Sequence, residues 1–218
     1  MDNFNKNLIL VDTNDIIIGT TKALNGHYKD SLQLHRAFSM FLFDGKKLLM
    51  QQRSSQKLVF PLKWANTVCS HPFLNHLSYS DPVLDSKIHL IQRAEYELGL
   101  KNIHIDDLKF IGRVQYKATN DSEESFLMNN EPIKQKFKDF KEDAINEKII
   151  KKSENFYEWE IDYIFICKKK SSVLINESEV CNFAWVDEDG YNNLLKQGEI
   201  SKWTKIIIEA LNIFKYVN

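Results

Sequence analysis

Cys69 and His71 stand two residues apart in the stretch TVCSHPF, with Pro72 directly after. A thiol and an imidazole at that spacing serve a structural metal clamp, a nucleophile with its base, or something else, and spacing alone does not choose. A zinc clamp calls for more thiolates nearby, such as a second C-x₂-C, and the remaining cysteines, Cys167 and Cys181, supply none. If His71 binds a metal, Cys69 can face the reacting centre as a thiol acid or thiolate base, with an unperturbed pKa of about 8.5. Otherwise it is a buried, inert cysteine. The acids come from YEWEIDY, in which Glu158 and Glu160 lie two apart and so share one face of a strand. That pair is either a solvated strand end or a site where water, a cation or a shared proton offsets the repulsion. His27, His35 and His71 lie near strands or turns in the first third of the chain, whereas His76, His89 and His104 read as surface residues. Three imidazoles and two carboxylates, if they converge, suit zinc, manganese or iron rather than a soft thiolate site.

The basic candidates are Arg53 and Lys57, in QQRSSQKLVFP, and Arg93, four residues before Glu97 on one helix face. Arg93 and Glu97 form either a surface ion pair, worth ~0.3–0.5 kcal/mol, or one wall of a phosphate site. In the second case Glu97 holds Mg²⁺ against the anion and the basic residues neutralise it.

The elements that must position these residues follow from pattern. LILVDTNDIIIGT reads as two short strands around a Thr-Asn-Asp turn. In FSMFLFDGKKLLMQQR, the runs Phe38 to Phe43 and Leu48 to Gln52 flank Asp44-Gly45, a hairpin signal. SDPVLDSKIHLIQRAEYELGL reads as a helix with Asp81 as cap, Pro82 first and Gly99 last, and with Ile88, Ile91, Ala94 and Leu98 at helical spacing. LKFIGRVQYKA, EWEIDYIFICKKK and NFAWVDED read as strands, the second apolar on both faces and therefore central. SKWTKIIIEALNIFKYV closes the chain as a helix. This order implies an α/β layered domain with a mixed sheet. From about Asp121 to Asn155 the chain becomes rich in Lys and Glu, and Ile133, Phe137, Phe140, Ala144 and Ile149 after Pro132 suggest an inserted amphipathic helix. The insertion is either a solvated elaboration or a lid or partner surface.

With 218 residues, 43% of them hydrophobic, the chain is expected to form a single domain. A net charge of −1 gives no basic nucleic-acid face, so no nucleic-acid partner is expected. No apolar run approaches the ~20 residues of a membrane span, and no membrane partner is expected. Three cysteines do not suit a disulfide framework, and the opening MDNFNKNLILVDTND has neither signal-peptide nor transit-peptide character, so a cytoplasmic location is expected.

Taken in order, LHRAFSMFLFDGKKLLMQQRS, FPLKWANTVCSHP, RAEYELG, QYKA, EWEIDY and SKWTKIII resemble type I isopentenyl diphosphate isomerase over nearly the whole chain apart from the insertion. The resemblance implies a Nudix-like α/β/α sandwich. It implies that His27, His35, His71, Glu158 and Glu160 hold one divalent metal, zinc or manganese. Cys69 and Glu160 would be the catalytic pair, with Tyr116 supporting Glu160. Glu97 would bind Mg²⁺ together with the substrate diphosphate, Arg53, Lys57 and Arg93 would contact that diphosphate, and Trp203 would face the hydrocarbon end. The implied partner is a small allylic or homoallylic diphosphate. The chain departs from the family pattern at Leu62, where Gly is usual after Pro61, at Trp159 between the two acids, at Ser201-Lys202 before Trp203, and in the insertion.

Two rival readings follow. A Nudix pyrophosphohydrolase shares the fold but gathers several carboxylates on the helix ending R-E-U-x-E-E-x-G-U. In QRAEYELGL, aligned on Gly99, only Glu97 remains of the three motif acids. A non-catalytic metal-binding protein gives no reason for Cys69 to accompany a metal set, a diphosphate clamp and an aromatic wall.

Overall fold

The computed structural model describes residues 5–57, 59–119, 123–130, 134–141 and 152–217. Strands β1 (Asn7–Val11) and β2 (Ile17–Lys22) form the first hairpin and lead into a short helix, α1 (Ala23–His27). The second hairpin joins β3 (His35–Asp44) to β4 (Lys47–Arg53). Here Asp44 still pairs with Lys47, so the turn is Gly45-Lys46, with Gly45 at φ 58°. Short strands β5 (Trp64–Ala65) and β6 (Val68–Ser70) precede α2 (His76–Ser80) and the long helix α3 (Pro82–Leu98). The second half contributes β7 (Leu108–Ala118), β8 (Glu123–Leu127), β9 (Glu158–Lys168), β10 (Val180–Val186), α4 (Glu188–Lys196) and α5 (Lys202–Leu211).

Local chemistry explains the boundaries of α3. Asp81 accepts from the Leu84 N–H at 3.0 Å, Pro82 occupies the first position, and Gly99 ends the helix at φ 64°. Its buried stripe is Leu90, Ala94 and Leu98, with Ile88 and Ile91 half-buried beside it, so the core-facing side is turned slightly from the one expected.

The main sheet runs β10–β4–β3–β9–β7–β8, with β3 and β9 parallel and the other neighbours antiparallel. Strands β1 and β6 also pair with β3, and β5 pairs with β4. Because side chains alternate along a strand, β3 and β9 feed a core on each face of the sheet. Phe38, Met40 and Leu42 pack with Leu90, Ala94 and Leu98 of α3, while Phe41 and Phe43 pack with Ile206 and Ile207 of α5. The result is helices on both faces of a mixed sheet.

The helix expected through Phe137 and Phe140 is absent from residues 134–141, which carry no regular secondary structure; Ile133, Ala144 and Ile149 lie outside the described residues. Tertiary contacts override the periodicity there. The Gln135 N–H donates to the Tyr79 carbonyl at 2.9 Å, the Gln135 side chain accepts from the Ile17 N–H at 2.9 Å, and the Tyr79 hydroxyl donates to the Lys138 carbonyl. Phe137 stacks on His76 with ring centroids 3.8 Å apart. No helix among the described residues is long and apolar enough to cross a membrane.

Candidate active site

One rung of the sheet places three of the expected residues side by side. His35 on β3 pairs with Glu160 on β9, which pairs with Tyr116 on β7, and Glu158 lies one step along, opposite Ala118. Cys69 on β6 pairs with Ser39 on β3 and so enters from the same face of the sheet. His71 follows β6 directly, and His27 is the last residue of α1. Trp159, between the acids, points to the opposite face, where it packs against the α3-side core beneath the Lys117 ammonium.

The donor atoms of His27, His35, His71, Glu158 and Glu160 lie within 4.8 Å of one another. The three imidazole centroids are 4.6–5.1 Å apart. His35 Nδ1 donates to the Gln33 carbonyl at 2.7 Å, which leaves Nε2 as a lone pair. That lone pair sits 3.3 Å from Glu160 Oε1, yet His35 Nε2 has no aligned hydrogen-bond partner among the described residues, and the buried Glu158 Oε2 has only His27 Nδ1 near it, at 2.9 Å but out of line. Buried lone pairs that face one another are unfavourable unless a positive centre lies between them. The donor set therefore fits a divalent cation, and mixed imidazole and carboxylate ligation is that of a borderline-hard metal.

The charges agree with this. Burial and the charge of Glu160 push the Glu158 carboxyl up to about 7, with His27 opposing. Burial acts on Glu160 in the same direction, but the His35 and His71 imidazoles set against it hold it well below the usual carboxylate range. Burial pulls His71 down to about 4, which favours the neutral ligand form. Tyr116 donates its hydroxyl to Glu160 Oε2, and burial together with the Glu160 charge keeps the phenol protonated. Burial pushes the Cys69 thiol up to about 12.

These groups open into a cavity of about 400 Å³ whose lining includes Cys69, His71, Glu160, Tyr116 and Trp203 together with Arg53, Lys57 and Arg93. Trp203 is held by its own hydrogen bond, Nε1 to Asn66 Oδ1 at 3.0 Å, and Arg53 covers one face of the indole 5.1 Å from the ring centroid. Asn66 also donates to the Met40 and Val68 carbonyls, so the start of α5 is tied to β3 and β6 despite Ser201-Lys202. Glu97 is buried behind the lining, where it accepts from Gln51 Nε2 at 3.0 Å and Arg93 at 2.7 Å.

Every expected site residue thus lies in or directly behind this cavity. Sequence reasoning missed three more. Glu179, in the loop before β10, binds Arg93 at 2.7 Å and also holds Lys57. Asn66 positions Trp203. Lys6 lines the cavity just before β1. Asn66 lies inside WANTVCSHP and was within reach of the same motif, whereas Glu179 and Lys6 sit in loops with no periodic signal.

No family model matches the sequence. Among curated proteins, isopentenyl-diphosphate Delta-isomerase 1 of Mesocricetus auratus is 30% identical over 221 residues, covering 95% of this chain and 82% of the relative. The chloroplastic isopentenyl-diphosphate Delta-isomerase 1 of Cannabis sativa is 29% identical over 228 residues, covering 98% of this chain and 68% of the relative. Among solved structures, DR0079 of Deinococcus radiodurans superposes with a TM-score of 0.54 at 14% identity, over 90% of this chain and 93% of that one, a likeness of fold. DR0079 is described in its solution structure as a hypothetical Nudix protein. Similarity over nearly the whole chain to enzymes of one named activity settles the kinship: the chain belongs to the type I isopentenyl-diphosphate Delta-isomerase family.

Proposed function

We propose that this protein interconverts isopentenyl diphosphate and dimethylallyl diphosphate by a 1,3-allylic proton transfer. The observation that carries the reading is the convergence, around one cavity, of Cys69 and Glu160 with the five metal donors, the basic cluster and Trp203.

The chemistry requires one proton added at C4 and one removed from C2. Protonation leaves positive charge at C3, and loss of the C2 proton sends its bonding pair into the new C2–C3 double bond. One member of the Cys69–Glu160 pair delivers the first proton and the other accepts the second. Tyr116 holds Glu160 in orientation through its hydroxyl. Trp203 presents aromatic surface to the hydrocarbon end, where a cation is stabilised by roughly 0.5–2 kcal/mol. Arg53, Lys57 and Arg93 bind the diphosphate, with Glu97 taking the Mg²⁺ that accompanies it, and so fix the alkene against the catalytic pair. His27, His35, His71, Glu158 and Glu160 would hold a zinc or manganese ion, whose positive charge would offset the repulsion of the two buried carboxylates and help orient Glu160.

The test is incubation with isopentenyl diphosphate, Mg²⁺ and Zn²⁺ in D₂O, followed by NMR. Dimethylallyl diphosphate with deuterium in its new methyl group is the expected product. Release of phosphate or a monophosphate would replace this reading with the hydrolase. Unchanged substrate over folded, metal-loaded protein would remove the isomerase.

A further inference from the structure

Four cationic side chains line the cavity, Lys6, Arg53, Lys57 and Arg93, and three of them are already held. Arg53 donates through Nε and Nη2 to the Val59 carbonyl at 3.1 and 2.7 Å. Lys57 and Arg93 are shared between Glu97 and Glu179. Lys6 alone of the four has no carboxylate or hydrogen-bond partner for its ammonium among the described residues. Its only described side-chain partner is the Phe73 ring, 5.0 Å from Nζ.

That ammonium is half-buried, and the backbone that carries it is anchored. The Lys6 carbonyl accepts from the Ala23 N–H at 2.8 Å, which ties its backbone to the start of α1, the helix that carries His27. Burial, and the repulsion of Arg93 and Lys57, outweigh the attraction of Glu179 and Glu97 and lower its pKa from the ordinary lysine value. Around the basic cluster itself the carboxylates are Glu97 and Glu179, so the end of the cavity that Lys6, Arg53, Lys57 and Arg93 line is locally positive, which an incoming anion relieves.

Its location says which part of the anion it meets. Lys6 also lines a second cavity of about 170 Å³, together with Phe73, His89, Arg93 and Tyr96. Cys69, Tyr116, Glu160 and Trp203 do not line that second space. Lys6 therefore stands where the two cavities meet, as do Ser70, His71, Phe73 and Arg93, beside a space that Trp203, Cys69 and Glu160 do not line.

We propose that Lys6 is a substrate-binding residue that contacts the outer phosphoryl group of the diphosphate, and that it helps the site prefer diphosphates over monophosphates. This rests on the diphosphate reading given above. The ammonium supplies up to three donors to phosphate oxygens, and such charge-assisted bonds are among the stronger polar contacts.

The experiment compares the full chain with Lys6→Ala, Lys6→Met and Lys6→Arg, and with Lys46→Ala, an exposed lysine on the β3–β4 turn, as control. Calorimetry measures binding of inorganic pyrophosphate with Mg²⁺, and separately of inorganic phosphate. Steady-state kinetics then give KM and kcat for isopentenyl diphosphate. Loss of one charge-assisted contact corresponds to about tenfold or more in affinity. The expected result is that loss for pyrophosphate in Lys6→Ala and Lys6→Met, a smaller loss for phosphate, partial rescue in Lys6→Arg and no change in Lys46→Ala. KM rises with kcat nearly constant. Lys6→Met keeps the packing against Phe73, so a loss shared by Met and Ala reports the charge and not the fold. Pyrophosphate affinity unchanged in both variants overturns the proposal, as does an equal loss for both ligands. If the wild-type chain binds pyrophosphate through Lys6 yet does not turn over isopentenyl diphosphate, the isomerase reading fails and the anion site stands.

Discussion

The Cys69 side chain is not among the clustered metal donors and makes no hydrogen bond among the described residues, yet it lines the cavity with Glu160. Its replacement therefore separates chemistry from structure. Cys69→Ala is expected to lower kcat by roughly 10²–10⁴, the usual worth of a positioned acid or base, while the melting temperature stays within a degree or two of wild type. Full activity in a folded Cys69→Ala protein would exclude a catalytic thiol. Glu97 is the opposite case: buried, and bonded to Gln51, Arg93 and Lys57. Glu97→Gln removes the charge proposed to meet Mg²⁺ and keeps the shape, so the Mg²⁺ concentration for half-maximal rate should rise about tenfold or more, since charged contacts carry ~1.5–3 kcal/mol. An unchanged Mg²⁺ dependence would place the cation elsewhere. At this scale, residue type alone left the three histidines and two glutamates open between structural and ligand roles; the family resemblance joined them into one set, and the fold brings their donor atoms together. Glu179 was not legible, because a lone glutamate in INESEV has nothing to distinguish it until the fold brings Arg93 and Lys57 to it.

Elements with their own punctuation were read correctly. Asp81, Pro82 and Gly99 bound α3, and Gly45 marks the β3–β4 turn, because capping and positive φ are local demands that few residues meet. α4 escaped notice since EDGYNNLLK contains a glycine and two asparagines, weak helix formers, although Asp187 caps it through the Gly190 N–H at 2.9 Å. Residues 134–141 misled for the reverse reason, a helical period overruled by contacts with α2 and the β1–β2 turn. Leu62 offers a test at this level. It adopts φ 62° with its side chain 53% exposed, between β4 and β5, where the family's usual glycine would be at ease. The left-handed conformation costs an ordinary L-residue roughly 1–2 kcal/mol, and the exposed leucine has little burial to offset it. After the greater backbone freedom that glycine loses on folding, Leu62→Gly should stabilise the protein by about 0.5–1 kcal/mol, a melting shift on the order of 1–4 °C. A lower melting temperature would show that Leu62 packing outweighs the backbone cost.

The site exists only because the whole molecule closes around it. The metal donors come from α1, β3, the residue after β6, and β9, elements far apart in sequence that the sheet order brings together. A second buried device supports the same assembly from the other face. Asp15 accepts from Arg36, Arg113 and Tyr163, on β3, β7 and β9, and the sequence did not reveal it because its partners lie up to 148 residues away. The two devices differ in one respect: Asp15 carries its own countercharges, whereas the His–Glu cluster leaves His35 Nε2 and Glu158 Oε2 without aligned partners. Cation binding should therefore stabilise the fold as a whole, since a ligand taken only by the native state adds ~2.7 kcal/mol at a hundredfold excess over Kd. For a chain of this size that is on the order of 5–10 °C in melting temperature. Treatment with a chelator, followed by thermal unfolding by circular dichroism, should lower the transition by that amount, and Zn²⁺ or Mn²⁺ should restore it. In Glu158→Gln the difference between stripped and loaded protein should shrink, because a carboxylate donor is gone. The Cys69→Ala protein should keep the full difference. A transition indifferent to chelator and to added metal in the wild-type chain would mean that the buried carboxylates are held by shared protons alone, and the metal centre would have to be abandoned.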